Sequence, residues 1–260
     1  MSRLMASPDA LPLTGERTMP GIWHENYWFR RHEVVYHWVA EQFLAAGAGP
    51  SWRVLDAGVG EGYGADLLRR TTGARVAALD YDADVTAHVR RTYPDVPVLR
   101  GNLVALPYAS HAFDAVVSLQ TIEHLWDQPA FLAECVRVTR PGGRIVLSTP
   151  NRLTFPPGNI CHAHELVGSE LRALLERAGL EATTVAGLHH GERILAWDHR
   201  HGDLVKAQLA DPPDDWSPEL AAFVTSLVDE DFHLRAGIGE GALPDLDASL
   251  DLLAVANVPS

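Results

Sequence analysis

The chain alternates short apolar runs with segments in which apolar residues recur at spacings of three and four. Short runs bounded by Gly or Pro are typical of buried strands, and the longer periodic segments predict amphipathic helices. The predicted strands are 53–57, 76–79, 96–99, 113–119, 144–149, 182–188 and 250–257, and the predicted helices are 26–46, 63–72, 84–93, 128–139 and 169–178. Repeated strand–helix units of this length predict a mostly parallel sheet with helices on both faces.

The two ends of the chain depart from this alternation. Residues 1–49 combine a stretch rich in Pro and Gly with one periodic helix, which predicts an N-terminal tail and cap helix. Residues 190–249 separate the last two strands, and a plain loop of that length is improbable in a compact domain. We therefore expect a seven-stranded α/β core over 50–189, a helical substrate cap inserted at 190–249, and a final core strand within 250–260.

Composition excludes several partners and compartments. The 260 residues contain 21 Lys plus Arg and 34 Asp plus Glu, giving a formal net charge of −13. Nucleic acids and anionic membrane surfaces favour basic faces, so we expect no nucleic-acid partner and no membrane insertion. Cys135 and Cys161 cannot form a disulfide framework. With no apolar run of signal-peptide or membrane-spanning type, the sequence indicates a cytoplasmic protein.

A glycine-rich motif stands where the first strand turns into a helix. Asp56 is followed by Gly58, Gly60 and Gly62, in the pattern D-x-G-x-G-x-G. Such glycines let the backbone pass close to a ligand, and the helix that follows offers unpaired N–H groups. A dinucleotide site is the alternative for the loop alone, although its usual pattern is G-x-G-x-x-G. A carboxylate at position 56 repels a pyrophosphate and attracts a cation, which favours S-adenosylmethionine.

Further motifs occur in matching order along the chain. Asp80 ends the second strand, Asn102 and Leu103 follow the third, and segments 141–143 and 148–151 flank the fifth. With the glycine motif, they make the chain resemble the class I S-adenosylmethionine-dependent methyltransferases over about 50–190 and the final strand. The resemblance implies a Rossmann-like fold with S-adenosyl-L-methionine as cofactor. The residues expected to bind it are Asp56, Gly58, Gly60, Gly62, Tyr63, Asp80, Tyr81, Asn102, Leu103 and Gln120.

An aromatic and basic cluster at 27–31 has two interpretations. Tyr27 and Trp28 could simply pack in the core of the cap helix, with the arginines on a solvated face. Alternatively, the cluster covers the cofactor, with Tyr27 against it and an arginine such as Arg30 bonded to its carboxylate through two parallel hydrogen bonds.

A narrower resemblance concerns the acceptor. Segments 13–18, 25–32, 122–128, 198–202 and 247–251 resemble actinobacterial methyltransferases that work on methylmannose polysaccharide. This implies methylation of a sugar hydroxyl, the 1-OH of a 3-O-methylated mannoside. Loop 155–164 looks shorter and differently composed than in that family, so it leaves the sugar open. An O-methyltransferase of a quinone or a specialised small metabolite is the alternative, because segment 148–151 also resembles quinone-pathway enzymes. A non-catalytic cofactor-binding protein is the third hypothesis.

Methyl transfer to an alcohol requires positioning and a group that takes the proton. Ligands bind at the carboxyl edge of open α/β sheets, and Glu123 and His124 follow the fourth strand there. We expect His124 to be the general base and Glu123 to orient it or to hold a sugar hydroxyl. The alternative is that His124 only packs the crossover.

The 13 histidines raise the question of a metal ion. His162, His164, Glu165, His189, His190, Glu192, His199, His201 and Asp203 are the candidate ligands. None of their spacings matches a closed structural zinc site, so scattered polar residues of a lid are the simpler interpretation. The metal ligands are therefore unassigned, although Mg²⁺ helping to bind hydroxyl oxygens stays open. The expected partner is a small-molecule or oligosaccharide acceptor, with a homodimer as an open assembly.

Overall fold

The computed structural model describes residue 11, residues 17–236 and residues 246–260. Most of the predicted tail, residues 13–16 of the first acceptor motif and 237–245 of the predicted cap lie outside the described residues. The strands are β1 Arg53–Ala57, β2 Arg75–Asp80, β3 Val98–Arg100, β4 Phe113–Leu119, β5 Thr139–Pro150, β6 Glu181–His190, β7 Phe232–Ala236 and β8 Asp251–Asn257. The helices are α1 Asn26–Ala45, α2 Tyr63–Thr72, α3 Ala83–Thr92, α4 Gln128–Val138, α5 Gly168–Arg177, α6 Glu192–His201, α7 Leu204–Ala210 and α8 Pro218–Thr225.

One mixed sheet organises the chain in the order β3-β2-β1-β4-β5-β8-β6-β7. The neighbours from β3 to β5 pair in parallel, whereas β8 runs antiparallel to both β5 and β6. The prediction of seven strands is wrong, because β7 pairs antiparallel with β6 and gives the described sheet eight strands. This strand is short and mostly exposed, so its pairing with the C-terminal half of β6 defines it more than its own pattern does.

Two apolar cores cover the two faces of the sheet, because successive strand residues point to opposite faces. Val54 of β1 joins the core that also contains Tyr36 and Phe43 of α1, while the next residue, Leu55, joins the core containing Phe131 of α4. Helix α1 thus packs against one face of the sheet. None of the helices in the described ranges is long and apolar enough to cross a membrane.

The segment expected to form a helical insertion contains a strand as well as helices. Helices α6, α7 and α8 are followed by β7, so the described part of 190–249 also extends the sheet. Residue Asn151, buried after β5, donates hydrogen bonds to the carbonyl oxygens of Leu246 and Ser249. This amide therefore fixes the approach to the final strand, which begins at Asp251.

The sheet topology positions the site. Strands β1 and β4 are parallel neighbours, with Asp56 paired to Val117. The glycine loop after β1 and the 3-10 turn Ile122–His124 after β4 therefore leave the sheet at the same edge. In open α/β sheets, ligands bind outside this carboxyl edge, where neighbouring connections diverge.

Candidate active site

The glycine loop runs from Gly58 to the start of α2 and closely approaches its neighbours. Gly58 has φ = +87°, and a Cβ atom there would lie 2.5 Å from both Cγ2 and Oγ1 of Thr121. Its N–H and that of Val59 donate to the carbonyl oxygen of Leu79, at 2.8 and 3.1 Å. Only glycine combines this backbone conformation with this lack of space. The loop is consequently held against both β2 and the connection after β4.

Asp80 ties the end of β2 to this loop. Its Oδ2 accepts from the N–H of Gly60 at 3.1 Å, and its Oδ1 accepts from the N–H of Asp82 at 2.9 Å. Burial raises the pKa of the Asp80 carboxyl, an effect that these two backbone donors oppose. Tyr81 is 71% exposed beside it, while Leu103 is buried and Asn102 is exposed. The residues predicted to bind the cofactor at the ends of β2 and β3 thus lie along the carboxyl edge of the sheet.

Asp56 lies fully buried at the end of β1. Its Oδ2 accepts from the hydroxyl of Tyr36 at 3.2 Å, whereas its Oδ1 is buried and has no hydrogen-bond partner among the described residues. Burial, together with the charge of Asp80, raises the pKa of Asp56 to about 8, while the Tyr36 hydrogen bond opposes the rise. A buried, half-satisfied carboxyl group is stabilised by a nearby cation.

A small cleft, the glycine-loop cleft, opens beside these groups and has a volume of about 60 Å³. Arg17 and Thr18 lie across it: Arg17 donates to Oδ2 of Asp82 at 2.8 Å, and Oγ1 of Thr18 is 3.2 Å from Oη of Tyr63. Burial lowers the pKa of neighbouring His32 to about 4. The residues that line the cleft are Arg17, Thr18, His32, Tyr36, Gly58, Val59, Gly60, Glu61, Tyr63, Leu119 and Gln120.

A larger cavity of about 430 Å³, the Glu123–His124 cavity, adjoins the cleft. Four residues line both: Arg17, Thr18, His32 and Gln120. Gln120 directly follows β4 with φ = +50°, and its N–H donates to the carbonyl oxygen of Ser148 at 3.0 Å. The other residues that line the cavity are Glu25, Trp28, Arg31, Glu123, His124, Pro150, Phe155, Pro156, Pro157, Gly158, Asn159, His162 and Leu209.

Glu123 is the most buried acidic group of this cavity, at 1% exposure. Its Oε2 accepts from the hydroxyl of Thr149 at 3.1 Å, and its backbone carbonyl accepts from the N–H groups of Ala163 and His164. Burial, with smaller effects from Asp251 and Glu165, raises the pKa of Glu123 to about 8, against the Thr149 hydrogen bond. Glu123 therefore joins the 3-10 turn to β5 through its carboxyl group and to the end of loop 155–164 through its backbone carbonyl.

Two histidines meet Glu123 at the cavity wall. The His124 ring has Nε2 at 3.9 Å from Oε1 of Glu123 and Nδ1 at 3.1 Å from the carbonyl oxygen of Cys161. The ring of His162 is 4.9 Å from that of His124, and its Nδ1 is 2.7 Å from Oε1 of Glu165. Loop 155–164, which the sequence places near the acceptor, supplies six residues to the cavity.

Aromatic rings and a buried ion pair also border the cavity. The Phe155 ring lies 5.1 Å from His162 and 6.5 Å from Trp28. Arg31 stands 5.4 Å from the Trp28 ring and donates to both carboxylate oxygens of Asp251, at 2.7 and 2.6 Å. Because two parallel hydrogen bonds join one edge of the guanidinium to Asp251, the Arg31 side chain is held in a fixed position at the cavity wall.

Two of the residues predicted to contact the cofactor lie away from both cavities. Tyr27 is fully buried, with its hydroxyl 2.7 Å from Nε2 of His190, and Arg30 pairs with Glu33 and Asp229. Neither lines the glycine-loop cleft or the Glu123–His124 cavity. The structure thus places these two residues away from both cavities, and the 3.6-residue period turns Tyr36, not Tyr27, toward the loop.

Several residues at the site were not assigned from the sequence. Arg17 and Thr18 fall in a quoted motif without a role, and Tyr36 showed only the period of a buried helix face. Of the histidines considered as metal ligands, the structure brings only His162 to a group of three candidate ligands, with Glu123 and His124, among the described residues. Helical period and motif resemblance were the available signals, and neither specifies which loops meet.

Comparisons with known proteins agree with this geometry. A family model described as "Methyltransferase domain" matches residues 55–147. A probable S-adenosylmethionine-dependent methyltransferase of Mycolicibacterium smegmatis is 48% identical over 264 residues, which cover 98% of each chain. A demethylmenaquinone methyltransferase of Renibacterium salmoninarum is 32% identical over 59% of this chain and 63% of its own length.

A solved structure supports the fold. The geranyl diphosphate C-methyltransferase from Streptomyces coelicolor A3(2), in complex with Mg²⁺, geranyl diphosphate and S-adenosyl-L-homocysteine, has a TM-score of 0.51 to this chain. It is 18% identical and covers 81% of this chain and 74% of its own. At that identity, the likeness concerns the α/β fold alone.

Proposed function

Because this chain belongs to the S-adenosylmethionine-dependent methyltransferases, we propose that it transfers a methyl group to the oxygen of a sugar hydroxyl. S-Adenosyl-L-methionine is its cofactor and supplies the methyl group from a cationic sulfonium. The finer proposal is that the acceptor is the 1-OH of a 3-O-methylated mannoside in methylmannose polysaccharide biosynthesis. The observation that carries the sugar assignment is the polar and aromatic lining of the Glu123–His124 cavity.

The residues around the glycine-loop cleft fit the cofactor. The buried Oδ1 of Asp56, which has no hydrogen-bond partner within the described part of the chain, suits a cationic ligand, and the loop from Gly58 to Gly62 brings backbone close to the site. We assign Asp80 and Tyr81 to the ribose side, Asn102 and Leu103 to the adenine side, and Tyr63 and Gln120 to the remaining wall. Asp56 does not itself line the cleft, but Tyr36 does, and its hydroxyl donates to the Asp56 carboxyl group.

Cofactor entry requires the Arg17–Thr18 segment to move. The enclosed volume of about 60 Å³ is far below the roughly 300–1,000 Å³ of small-molecule sites. The Arg17–Asp82 ion pair and the Thr18–Tyr63 hydrogen bond hold the segment across the cleft. Both residues also line the Glu123–His124 cavity, so this segment is proposed to close over the cofactor and the acceptor together.

The Glu123–His124 cavity suits a sugar better than a quinone. Carbohydrate hydroxyl groups require hydrogen-bonding partners, which Glu123, His124, Gln120 and Asn159 provide on the wall. The rings of Trp28 and Phe155 offer flat apolar faces to the C–H side of a pyranose. A quinone ring carries fewer hydrogen-bonding groups and would leave more of these polar side chains without a partner, which is unfavourable.

Glu123 and His124 are proposed to act on the acceptor hydroxyl. The Cys161 carbonyl accepts from Nδ1–H of His124, which leaves the lone pair on Nε2, the nitrogen beside Glu123. In the metal-free protein, His124 is thus positioned to take the acceptor proton as the oxygen bonds to the methyl carbon. Glu123, held by Thr149, orients the imidazole or binds a neighbouring hydroxyl.

The second candidate acceptor is a quinol, which the partial likeness to a demethylmenaquinone methyltransferase favours. A labelled-methyl assay separates the two. We expect 3-O-methylmannosides with a free 1-OH to be methylated, and the matched 1-O-blocked mannosides and simple phenols to be inert. Methylation of demethylmenaquinol analogues in preference to every mannoside would contradict the sugar proposal.

A further inference from the structure

We propose that Glu123, His124 and His162 form a binding site for one divalent transition-metal ion of the zinc type. One ligand atom from each residue lies within 4.8 Å of the others. All three residues line the Glu123–His124 cavity, so the group faces the space assigned to the acceptor. Among the residues that the structure describes, this is the group that brings together three candidate ligands.

The hydrogen bonds of His124 and His162 place the imidazole lone pair on the same atom, Nε2, in both rings. A carbonyl oxygen can only accept, so the contact with Cys161 places the proton of His124 on Nδ1 and the lone pair on Nε2. The carboxylate of Glu165, 2.7 Å from Nδ1 of His162, sets the same tautomer there. Both rings therefore present Nε2 as the metal-binding atom, which is the protonation state that ligation requires.

The surrounding contacts are those expected around metal ligands. Ligating histidines generally donate their other N–H to a carboxylate or a backbone carbonyl, as His162 does to Glu165 and His124 to Cys161. Thr149 donates to Oε2 of Glu123 and leaves Oε1 as the oxygen nearer His124. The side chains of Glu123 and His162 are only 2% and 7% exposed, which limits competition from water.

The donor set selects the class of ion. Two imidazole nitrogens and one carboxylate oxygen suit Zn²⁺ and similar transition metals, whereas Mg²⁺ prefers oxygen ligands and retains its water. The Mg²⁺ considered from the sequence is therefore replaced here by an ion of the zinc class. Three protein ligands also leave a coordination position open, as in catalytic rather than structural zinc sites.

The role of the ion in the reaction rests on the proposed function. An acceptor hydroxyl bound at the open position has a lowered pKa, so its proton passes to water while His124 serves as a ligand. The O–H bond breaks, an O–CH₃ bond forms, and the C–S bond of the cofactor breaks with its electron pair left on sulfur. No oxidant or reductant takes part.

Metal binding tests the site without depending on turnover. The full-length protein, stripped with a chelator, is titrated with Zn²⁺ by calorimetry and with Co²⁺ by visible absorption. We expect one tight site per chain, at least a 100-fold loss of affinity in His162→Ala, and a 10- to 100-fold loss in Glu165→Gln. His164→Ala is the matched control, because His164 lies on the same loop with its side chain 54% exposed. Unchanged thermal unfolding establishes that the variants are folded.

The possible results distinguish the metal site, its catalytic role and the proposed function from one another. Equal Zn²⁺ affinity in the wild type, His162→Ala and His164→Ala would refute the site, as would full displacement of Zn²⁺ by millimolar Mg²⁺. Equal methyl transfer by stripped and Zn²⁺-loaded enzyme would refute the catalytic role of the ion but leave the proposed function intact. A tight Zn²⁺ site dependent on His162, without methylation of any sugar, would refute the proposed function and leave the metal site standing.

Discussion

Replacing Gly58 with alanine is expected to destabilise the protein by about 2–5 kcal/mol. One part comes from the backbone, because φ = +87° is unfavourable for a residue with a Cβ atom and costs about 1–2 kcal/mol. The other part comes from the 2.5 Å approach of that Cβ to Cγ2 and Oγ1 of Thr121. Overpacking of this kind costs about 1–3 kcal/mol.

Two further variants separate the free-energy cost of the backbone conformation from that of the steric clash. Gly60→Ala meets no atom within 4 Å at φ = +57°, so only the backbone cost of about 1–2 kcal/mol is expected. Thr121→Ala removes both clashing atoms and leaves its own Cβ, which would lie 3.1 Å from the Cβ of an alanine at position 58. In that background, Gly58→Ala should therefore cost about as much as Gly60→Ala.

Urea unfolding of the wild type, Gly58→Ala, Thr121→Ala and the double variant forms a double-mutant cycle, with Gly60→Ala measured beside it as the backbone reference. With a slope near 3 kcal/mol per molar urea, the Gly58→Ala midpoint should fall by about 0.7–1.7 M. A coupling energy of about 1–3 kcal/mol between positions 58 and 121 is expected. A cost for Gly58→Ala no larger than that for Gly60→Ala, or the same cost with and without Thr121, would refute the close packing of the loop against the connection after β4.

Three further predictions concern the site. His124→Ala should retain S-adenosylmethionine binding by calorimetry but lower turnover at least about 100-fold; near-normal turnover would contradict its assigned role. Burial raises the pKa of Asp56 to about 8 when folded, so its protonation stabilises the fold fully below pH 4, and this stabilisation is lost as pH rises through 8. Urea unfolding of Asp56→Asn at pH 5 and pH 8 should therefore show a smaller fall in stability than the wild type, and an equal fall would refute the raised pKa. Arg31→Met should cost about 3–5 kcal/mol by leaving Asp251 buried and unpaired, against a smaller cost of about 1 kcal/mol for Arg30→Met, whose side chain is 32% exposed; equal costs would contradict the burial of this ion pair.

The regular strands and helices of the core could be predicted from the local sequence pattern. The predicted bounds of β1, α2 and β4 coincide with the observed ones, because buried apolar runs and terminal glycines act within a few residues of the chain. The glycine motif and Asp80 could likewise be placed, since the ends of parallel strands share one sheet edge. In contrast, β7 depends on hydrogen bonds from β6, and a five-residue pattern with one buried residue carries little signal of its own.

The amino-acid sequence by itself determined the order of strands and helices, the glycine loop and the family to which the chain is similar, because these follow from periodicity and from residues close together along the chain. Only the tertiary structure decided which groups meet across long separations. It turned Tyr36 instead of Tyr27 toward the loop, fixed Arg31 on Asp251, and brought His162 to Glu123 and His124. The physical reason is that such contacts depend on how helix faces and loops pack over the sheet, and no local pattern encodes that arrangement.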